Sequence, residues 1–124
     1  MFRAKRLDHV AAQVQDLKRS AAWYQTVLGM EERERYKDTT GKGKPVVLCS
    51  GDACIALFPS ETDGEVTPLQ GHIAFRLDRE NFDLARRHFA QQGIDSQFVE
   101  YKTVHSIYIF DPDRYQIELS TWEL

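Results

Sequence analysis

The chain is short of cysteine, of long apolar runs and of charge of one sign. No apolar stretch approaches the roughly 18 residues of a membrane span, and the start MFRAKRLDHV lacks the apolar centre of a signal peptide. Its two cysteines, Cys49 and Cys54, flank the predicted turn at residues 50–53, and without a secretion signal we expect them to be reduced. These shortages predict a cytoplasmic protein with no membrane partner.

Charge and length narrow the possibilities further. Lys and Arg number 16 against 19 Asp and Glu, so the formal net charge is -3 and nothing indicates nucleic acid or an anionic surface as a partner. Apolar residues make up 42% of the chain, which is ordinary for a globular protein. The 124 residues suit one compact domain.

The same order of elements is predicted twice along the chain. The first half has a strand over 7–14, a helix from the N-cap Asp16 to a stop at Gly29, and strands near 31–36, 46–49 and 54–58. The second half has a strand over 72–77, a helix from Asp78 to Gly93, and strands near 97–100, 106–110 and 115–120. We therefore predict an α+β fold, one domain over 1–124, made of two βαβββ modules (about 5–59 and 70–121) and a polar linker, 60–69.

Three segments carry a resemblance to a known family. They are LDHVAAQVQDLKRSAAWYQTVLGM at 7–30, GHIAFRLD at 71–78 and IYIFDPDRYQIEL at 107–119. They resemble the vicinal oxygen chelate superfamily, which includes glyoxalase I, bleomycin-resistance proteins, extradiol dioxygenases such as dihydroxybiphenyl dioxygenase, and fosfomycin-resistance thiol transferases. The resemblance implies mixed sheets that curl into open cups around one divalent metal ion, with His9, His72 and Glu118 as its ligands.

The strand pattern supports this ligand set. Because strand side chains alternate between faces, His9, His72 and Glu118 each point to the less apolar face of their strand. Two imidazoles and a carboxylate on rigid strands can occupy one face of an octahedral Fe, Mn, Co, Ni or Zn ion and leave positions for substrate. The alternative is that the three are separate polar residues, hydrogen-bonded or solvated.

Tyr108 is the candidate catalytic residue. If Phe110 pairs with Gln116 across the hairpin, Tyr108 lies opposite Glu118 on the same face. Its hydroxyl could then donate to a substrate oxygen that gains negative charge. A purely packing role for the ring is the alternative.

Departures from the family patterns limit the reaction. Ala56 aligns with the position where glyoxalase I has a further carboxylate ligand, which argues against the usual glyoxalase reaction. Residues 55–59 lack the acid-base histidine of the extradiol dioxygenases. The fosfomycin transferases share the three ligands and the tyrosine, and Arg76 and Lys102 could contact an anion.

These observations predict a metal-dependent enzyme acting on a small molecule that chelates the metal through adjacent oxygens. The reaction could be of lyase, dioxygenase or thiol-transferase type. The alternative is a metal-free binding or sequestering protein of the bleomycin-resistance type. The resemblance also implies a homodimer. Separately, the polar residues 37–44 are expected to form either a solvated loop or a lid over the site.

Overall fold

The structure, a computed structural model, describes residues 1–34, 45–62 and 64–124. It divides into two compact units, Met1–Thr67 and Pro68–Leu124. The loop predicted at 37–44, with its possible lid role, lies outside the described residues. Within the described ranges no helix is long and apolar enough to cross a membrane.

The first unit contains one helix and one mixed sheet. Its elements are β1 (Val10–Val14), α1 (Leu17–Val27), β2 (Glu31–Arg33), β3 (Val46–Ser50) and β4 (Ala53–Pro59). The strand order is β1-β4-β3-β2, in which β1 and β4 run parallel and the other neighbours antiparallel. Strand β1 begins three residues later than predicted, so His9 lies immediately before it.

The second unit repeats this arrangement. Its elements are β5 (His72–Arg76), α2 (Arg79–Gln92), β6 (Gln97–Glu100), β7 (His105–Phe110) and β8 (Gln116–Thr121). The strand order is β5-β8-β7-β6, again with one parallel pair between the outer strand and its neighbour. The predicted α+β fold, a tandem repeat of βαβββ modules with mixed sheets, is confirmed.

Both helices begin at the N-caps that the sequence indicated, and α2 ends at the predicted Gly93, whereas the C-cap of α1 is Leu28, one residue before the predicted stop at Gly29. The side chain of Asp16 accepts a hydrogen bond from the Arg19 backbone N–H at 3.0 Å, and that of Asp78 accepts one from Asn81 at 2.8 Å. Gly93 caps α2 in the left-handed conformation, with φ 65°. A residue without a Cβ adopts this conformation without steric cost, so the helix stops there.

Each helix buries its apolar stripe within its own unit. Tyr24 on α1 is fully buried, as is Phe82 on α2, and Phe89 is nearly so. Removing such a ring from water contributes roughly 1.5–3 kcal/mol. Each sheet therefore has one face that packs against its helix and one face that does not. The predicted site residues lie on the face without the helix.

The two cysteines face each other across the β3–β4 hairpin. Their Cα atoms are 4.1 Å apart, and the side chains form a disulfide. The expectation of reduced thiols is therefore wrong for this structure. The physical reason is the register, since directly opposed residues of an antiparallel pair can approach this closely and point to the same face.

Candidate active site on the second sheet

The face of the second sheet that points away from α2 carries a group of polar side chains, which we call the polar face. Its members come from alternate positions of β5, β7 and β8: His72, Ser106, Tyr108 and Glu118. The intervening apolar residues Ile73, Ile107, Ile117 and Leu119 are at most 9% exposed. Phe110 pairs with Gln116 and Tyr108 with Glu118, so the predicted hairpin register is confirmed.

Glu118 is held at both carboxylate oxygens. Its Oε1 lies 2.9 Å from Nε2 of His72, and its Oε2 accepts a hydrogen bond of 2.6 Å from the Ser106 hydroxyl. The Glu118 side chain is 12% exposed, whereas that of His72 is 44% exposed. The carboxylate is therefore fixed in one orientation beside an imidazole that solvent can reach.

Tyr108 completes the group through its ring and its hydroxyl. The ring meets that of His72 edge to face at 6.1 Å between centroids, and the hydroxyl lies 2.8 Å from that of Tyr101. The hydrogen bond to Tyr101, followed by burial and the charge of Glu118, raises the pKa of Tyr108 to about 12. The phenol therefore stays protonated at neutral pH and can act as a hydrogen-bond donor.

His9 belongs to the first unit, so the predicted set is divided between units. It is half-buried, and its Nδ1 lies 2.7 Å from Oδ2 of Asp8. A carboxylate that accepts from Nδ1–H directs the lone pair of the imidazole to Nε2, the form in which histidine binds metals. The second unit brings His72, Tyr108 and Glu118 together. Over residues 1–34, 45–62 and 64–124, no group of three or more His, Cys, Asp or Glu side chains is arranged to hold a metal ion.

The spacing of His72 and Glu118 suits two adjacent ligands of one ion. With metal–ligand bonds of about 2.1 Å, two neighbouring ligands of an octahedral ion are about 3.0 Å apart. The observed N···O separation is 2.9 Å. An imidazole nitrogen and a carboxylate oxygen are also donors that divalent transition metals accept. The pair therefore fits a metal ion.

The internal repeat explains why the first sheet offers no equivalent carboxylate. Ala11 pairs with Ala56 in the first sheet, and Ala74 pairs with Glu118 in the second. His9 and His72 each precede these β1 and β5 alanines by two residues, so Ala56 occupies the position equivalent to Glu118. The Ala56 neighbourhood is an apolar cluster of Val47, Cys49, Cys54 and Ala56, against which Phe58 packs.

Two residues were not predicted from the sequence: Ser106, which belongs to the polar face, and Tyr101, whose hydroxyl contacts that of Tyr108. Ser106 shares its strand parity with Tyr108, and that signal could have identified it. Tyr101 lies beyond the end of β6, in a turn where its N–H donates to the Val104 carbonyl at 2.9 Å, and no periodicity marks it. His105 has the opposite strand parity to Tyr108 and faces α2, with its Nδ1 3.1 Å from Nη1 of Arg79.

Comparison with known proteins gives concordant matches. The family model for the Glyoxalase/Bleomycin resistance protein/Dioxygenase superfamily matches residues 6–119. A glutathione transferase FosA from Serratia marcescens is 27% identical over 121 residues, which is 95% of this chain and 82% of the relative.

Two solved structures share the fold. A glyoxalase-family protein from Bacillus anthracis superposes with a TM-score of 0.83 at 20% identity, covering 99% of both chains. The fosfomycin resistance protein FosX from Listeria monocytogenes, as an E126Q mutant with Mn(II) and 1S,2S-dihydroxypropylphosphonic acid, gives a TM-score of 0.70 at 23% identity. That match covers 94% of this chain and 92% of FosX.

Proposed function

Because the chain belongs to the Glyoxalase/Bleomycin resistance protein/Dioxygenase superfamily, we propose that it is a divalent-metal-dependent enzyme. Its substrate is a small molecule that presents adjacent oxygen atoms to the metal. The observation that carries the proposal is the pair of His72 and Glu118, separated by 2.9 Å, with Ser106 bonded to the second carboxylate oxygen. His9 is the proposed third ligand.

The substrate class is supported by the comparison with FosX. The compound bound to that protein with Mn(II) is a dihydroxypropylphosphonic acid, which carries hydroxyls on neighbouring carbons. Lyase, dioxygenase and thiol-transferase chemistry all remain within the proposal, and the position of Ala56 disfavours the usual glyoxalase reaction. The donor set accommodates Fe, Mn, Co, Ni or Zn.

Each residue of the polar face has a distinct role. When bound, a divalent ion would supply Lewis acidity that polarises a substrate oxygen. Ser106 holds the Glu118 carboxylate by its hydrogen bond and so limits the orientations open to the ligand oxygen. Tyr108, protonated at neutral pH, donates its hydroxyl hydrogen to the substrate oxygen on which negative charge develops.

The organisation of the protein is part of the proposal. We propose that the modules at about 5–59 and 70–121 act as one domain over residues 1–124, and that two chains form a cytoplasmic homodimer. Light scattering at micromolar concentration measures the mass directly. A purely monomeric protein would refute the proposed dimer but would not affect the assignment of the metal ligands.

A metal-free binding protein is the competing proposal. In its favour, the 2.9 Å contact between His72 and Glu118 is also an ordinary hydrogen-bond distance, so the two side chains can satisfy each other without an ion. The two proposals differ in what happens when a divalent metal is added to protein treated with a chelator. Only the enzyme proposal expects about one ion to bind per chain.

The deciding experiment replaces the central carboxylate. Glu118→Gln keeps the shape and removes the charge, so metal affinity should fall by more than the roughly 10- to 100-fold that loss of a supporting hydrogen bond produces. The metal-induced rise in thermal stability should shrink with it, because an ion that binds only the folded site stabilises by mass action. Glu100→Gln, at an exposed position of β6, is the matched control and should bind metal like the parent.

Unchanged metal affinity in Glu118→Gln would refute Glu118 as a ligand. Absence of metal binding to the parent protein would refute the enzyme proposal and favour the metal-free alternative. For the tyrosine, Tyr108→Phe should weaken binding of a chelating probe, such as a catechol or a hydroxamate, to the Co(II)-loaded protein by roughly 0.5–3 kcal/mol. An unchanged probe affinity would restrict Tyr108 to packing or to a later step.

A further inference from the structure

An arginine and a tryptophan stack on each other at the edge of the polar face. The guanidinium carbon of Arg76 lies 4.2 Å from the centroid of the Trp122 ring. Both side chains are exposed, Trp122 to 59%. Among the described residues, the guanidinium has this ring as its contact and no carboxylate within 4.0 Å. Arg76 thus presents its charge to solvent.

The stacked pair lies beside the proposed metal ligands. In the parallel pairing of β5 with β8, Arg76 is opposite Ser120 and Ala74 is opposite Glu118. One two-residue step along a strand is roughly 6.6 Å, and it keeps side chains on the same face. The Arg76 side chain therefore leaves the sheet on the same face as Glu118, roughly 6.6 Å farther along the strands. A small molecule can span that separation.

Stacking leaves the binding edge of the guanidinium available. The guanidinium carbon lies over the ring, whereas the five N–H donors of the group lie in its own plane. That fork matches the oxygens of a carboxylate, phosphate or phosphonate. The indole also limits the orientations of a long side chain, so less conformational entropy is lost when an anion binds.

We propose that Arg76, stacked on Trp122, is a subsite for an anionic oxygen group of the substrate. The substrate then carries a carboxylate, phosphate or phosphonate about one short carbon chain away from the oxygens that meet His72 and Glu118. The assignment of this anion to the substrate rests on the proposed function, whereas the binding of an anion by the pair does not. A metal ion between His72 and Glu118 would offset the negative charge of Glu118 and strengthen anion binding.

The test uses full-length protein freed of metal by a chelator. Inorganic phosphate, methylphosphonate and acetate are titrated separately by calorimetry, and the anion that binds best identifies the preferred group. Arg76→Met keeps the length of the side chain and removes its charge and donors, so it should weaken binding by about tenfold or more. Emission from Trp122, measured in a Trp23→Phe background that leaves it as the single tryptophan, should change on titration.

The chain offers a matched control for the arginine. Arg86 is also exposed and stacked on an aromatic ring, with its guanidinium carbon 3.9 Å from the centroid of Phe98. It lies on α2, away from the polar face. Arg86→Met removes the same charge, so it should leave anion affinity within about twofold of the parent.

Two results would overturn the proposal. One is the failure of all three anions to bind the parent protein up to roughly 10 mM. The other is equal binding by the Arg76→Met and Arg86→Met variants. If Arg76→Met does not fold, Arg76→Lys, which keeps the charge and loses the planar fork, should still weaken binding, and parent-like affinity would contradict the assignment. Metal titration of Glu118→Gln tests the proposed function separately, because the anion titration needs no metal.

Discussion

Ser106→Ala is the substitution that most directly tests how the polar face is held together. The Ser106 side chain is fully buried, and its hydroxyl donates a 2.6 Å hydrogen bond to Oε2 of Glu118. Alanine fits the same space, so the backbone and the packing of β7 should not change. The substitution therefore removes one hydrogen bond and leaves one carboxylate oxygen without this donor.

The expected loss follows from the charge and exposure of the acceptor. A hydrogen bond to a charged group contributes roughly 1.5–3 kcal/mol. Since the Glu118 side chain is 12% exposed, water can replace part of the lost interaction, and we expect a value near the lower end, about 1.5–2 kcal/mol. For a chain of this length that corresponds to a fall in Tm of roughly 5–10 °C.

The assay is urea denaturation of the metal-free protein, followed by far-ultraviolet circular dichroism. Ser120→Ala is the matched control, because Ser120 pairs with Ser106 across the hairpin and lies on the same face. The Ser120 hydroxyl has a longer contact, 3.5 Å to the Phe75 carbonyl. Its removal should cost less than about 1 kcal/mol. A Ser106→Ala protein within about 0.5 kcal/mol of the parent would refute the argument that Ser106 holds the carboxylate.

Three further predictions follow from single contacts. Tyr101→Phe removes the largest cause of the raised pKa of Tyr108, so the phenolate absorbance should appear at lower pH. In the parent, a phenol whose pKa is about 12 when folded and 10.0 otherwise gives stability that is complete below pH 10 and is lost as pH rises toward 12. If the pKa of Tyr108 is the same in the variant as in the parent, the hydrogen bond between Tyr101 and Tyr108 is not the cause of the raised pKa. Arg114 has φ 70° in the hairpin turn, a conformation that strains the backbone of a residue with a Cβ. Arg114→Gly should therefore raise the free energy of unfolding by about 0.5–1 kcal/mol. A variant that unfolds at lower urea concentration than the parent would show that backbone strain is not the deciding effect. Reduction of the Cys49–Cys54 disulfide should lower stability by about 2 kcal/mol because the closed loop is short; a protein equally stable with and without reductant would refute this.

The order of the elements and the ends of the helices could be predicted from local sequence signals. Asp16 and Asp78 accept hydrogen bonds from backbone N–H groups three residues later, and Gly93 takes the left-handed conformation that ends α2. Each signal acts within one turn of a helix, so neighbouring residues are sufficient to identify it. The repeat of these signals then indicated two similar modules.

The faces of the strands were also predictable, because side chains alternate with a period of two. The turn at residues 111–114 is closed by the Asp111 side chain, which accepts from the N–H groups of Asp113 and Tyr115, both at 2.9 Å. A tight turn sets the register of its hairpin. Tyr108 therefore lies opposite Glu118, as the sequence predicted.

Only the tertiary structure decided which side chains contact one another. Ser106 is 12 residues from Glu118, Tyr101 is 7 from Tyr108, and Arg79 is 44 from Glu123. The disulfide likewise depends on how closely β3 and β4 approach. Such contacts depend on strand register, turn geometry and side-chain rotamers together, and differences of about an ångström decide whether a hydrogen bond forms. Local composition and periodicity specify a face and an order of elements, whereas hydrogen-bond partners across that face exist only after the strands have paired.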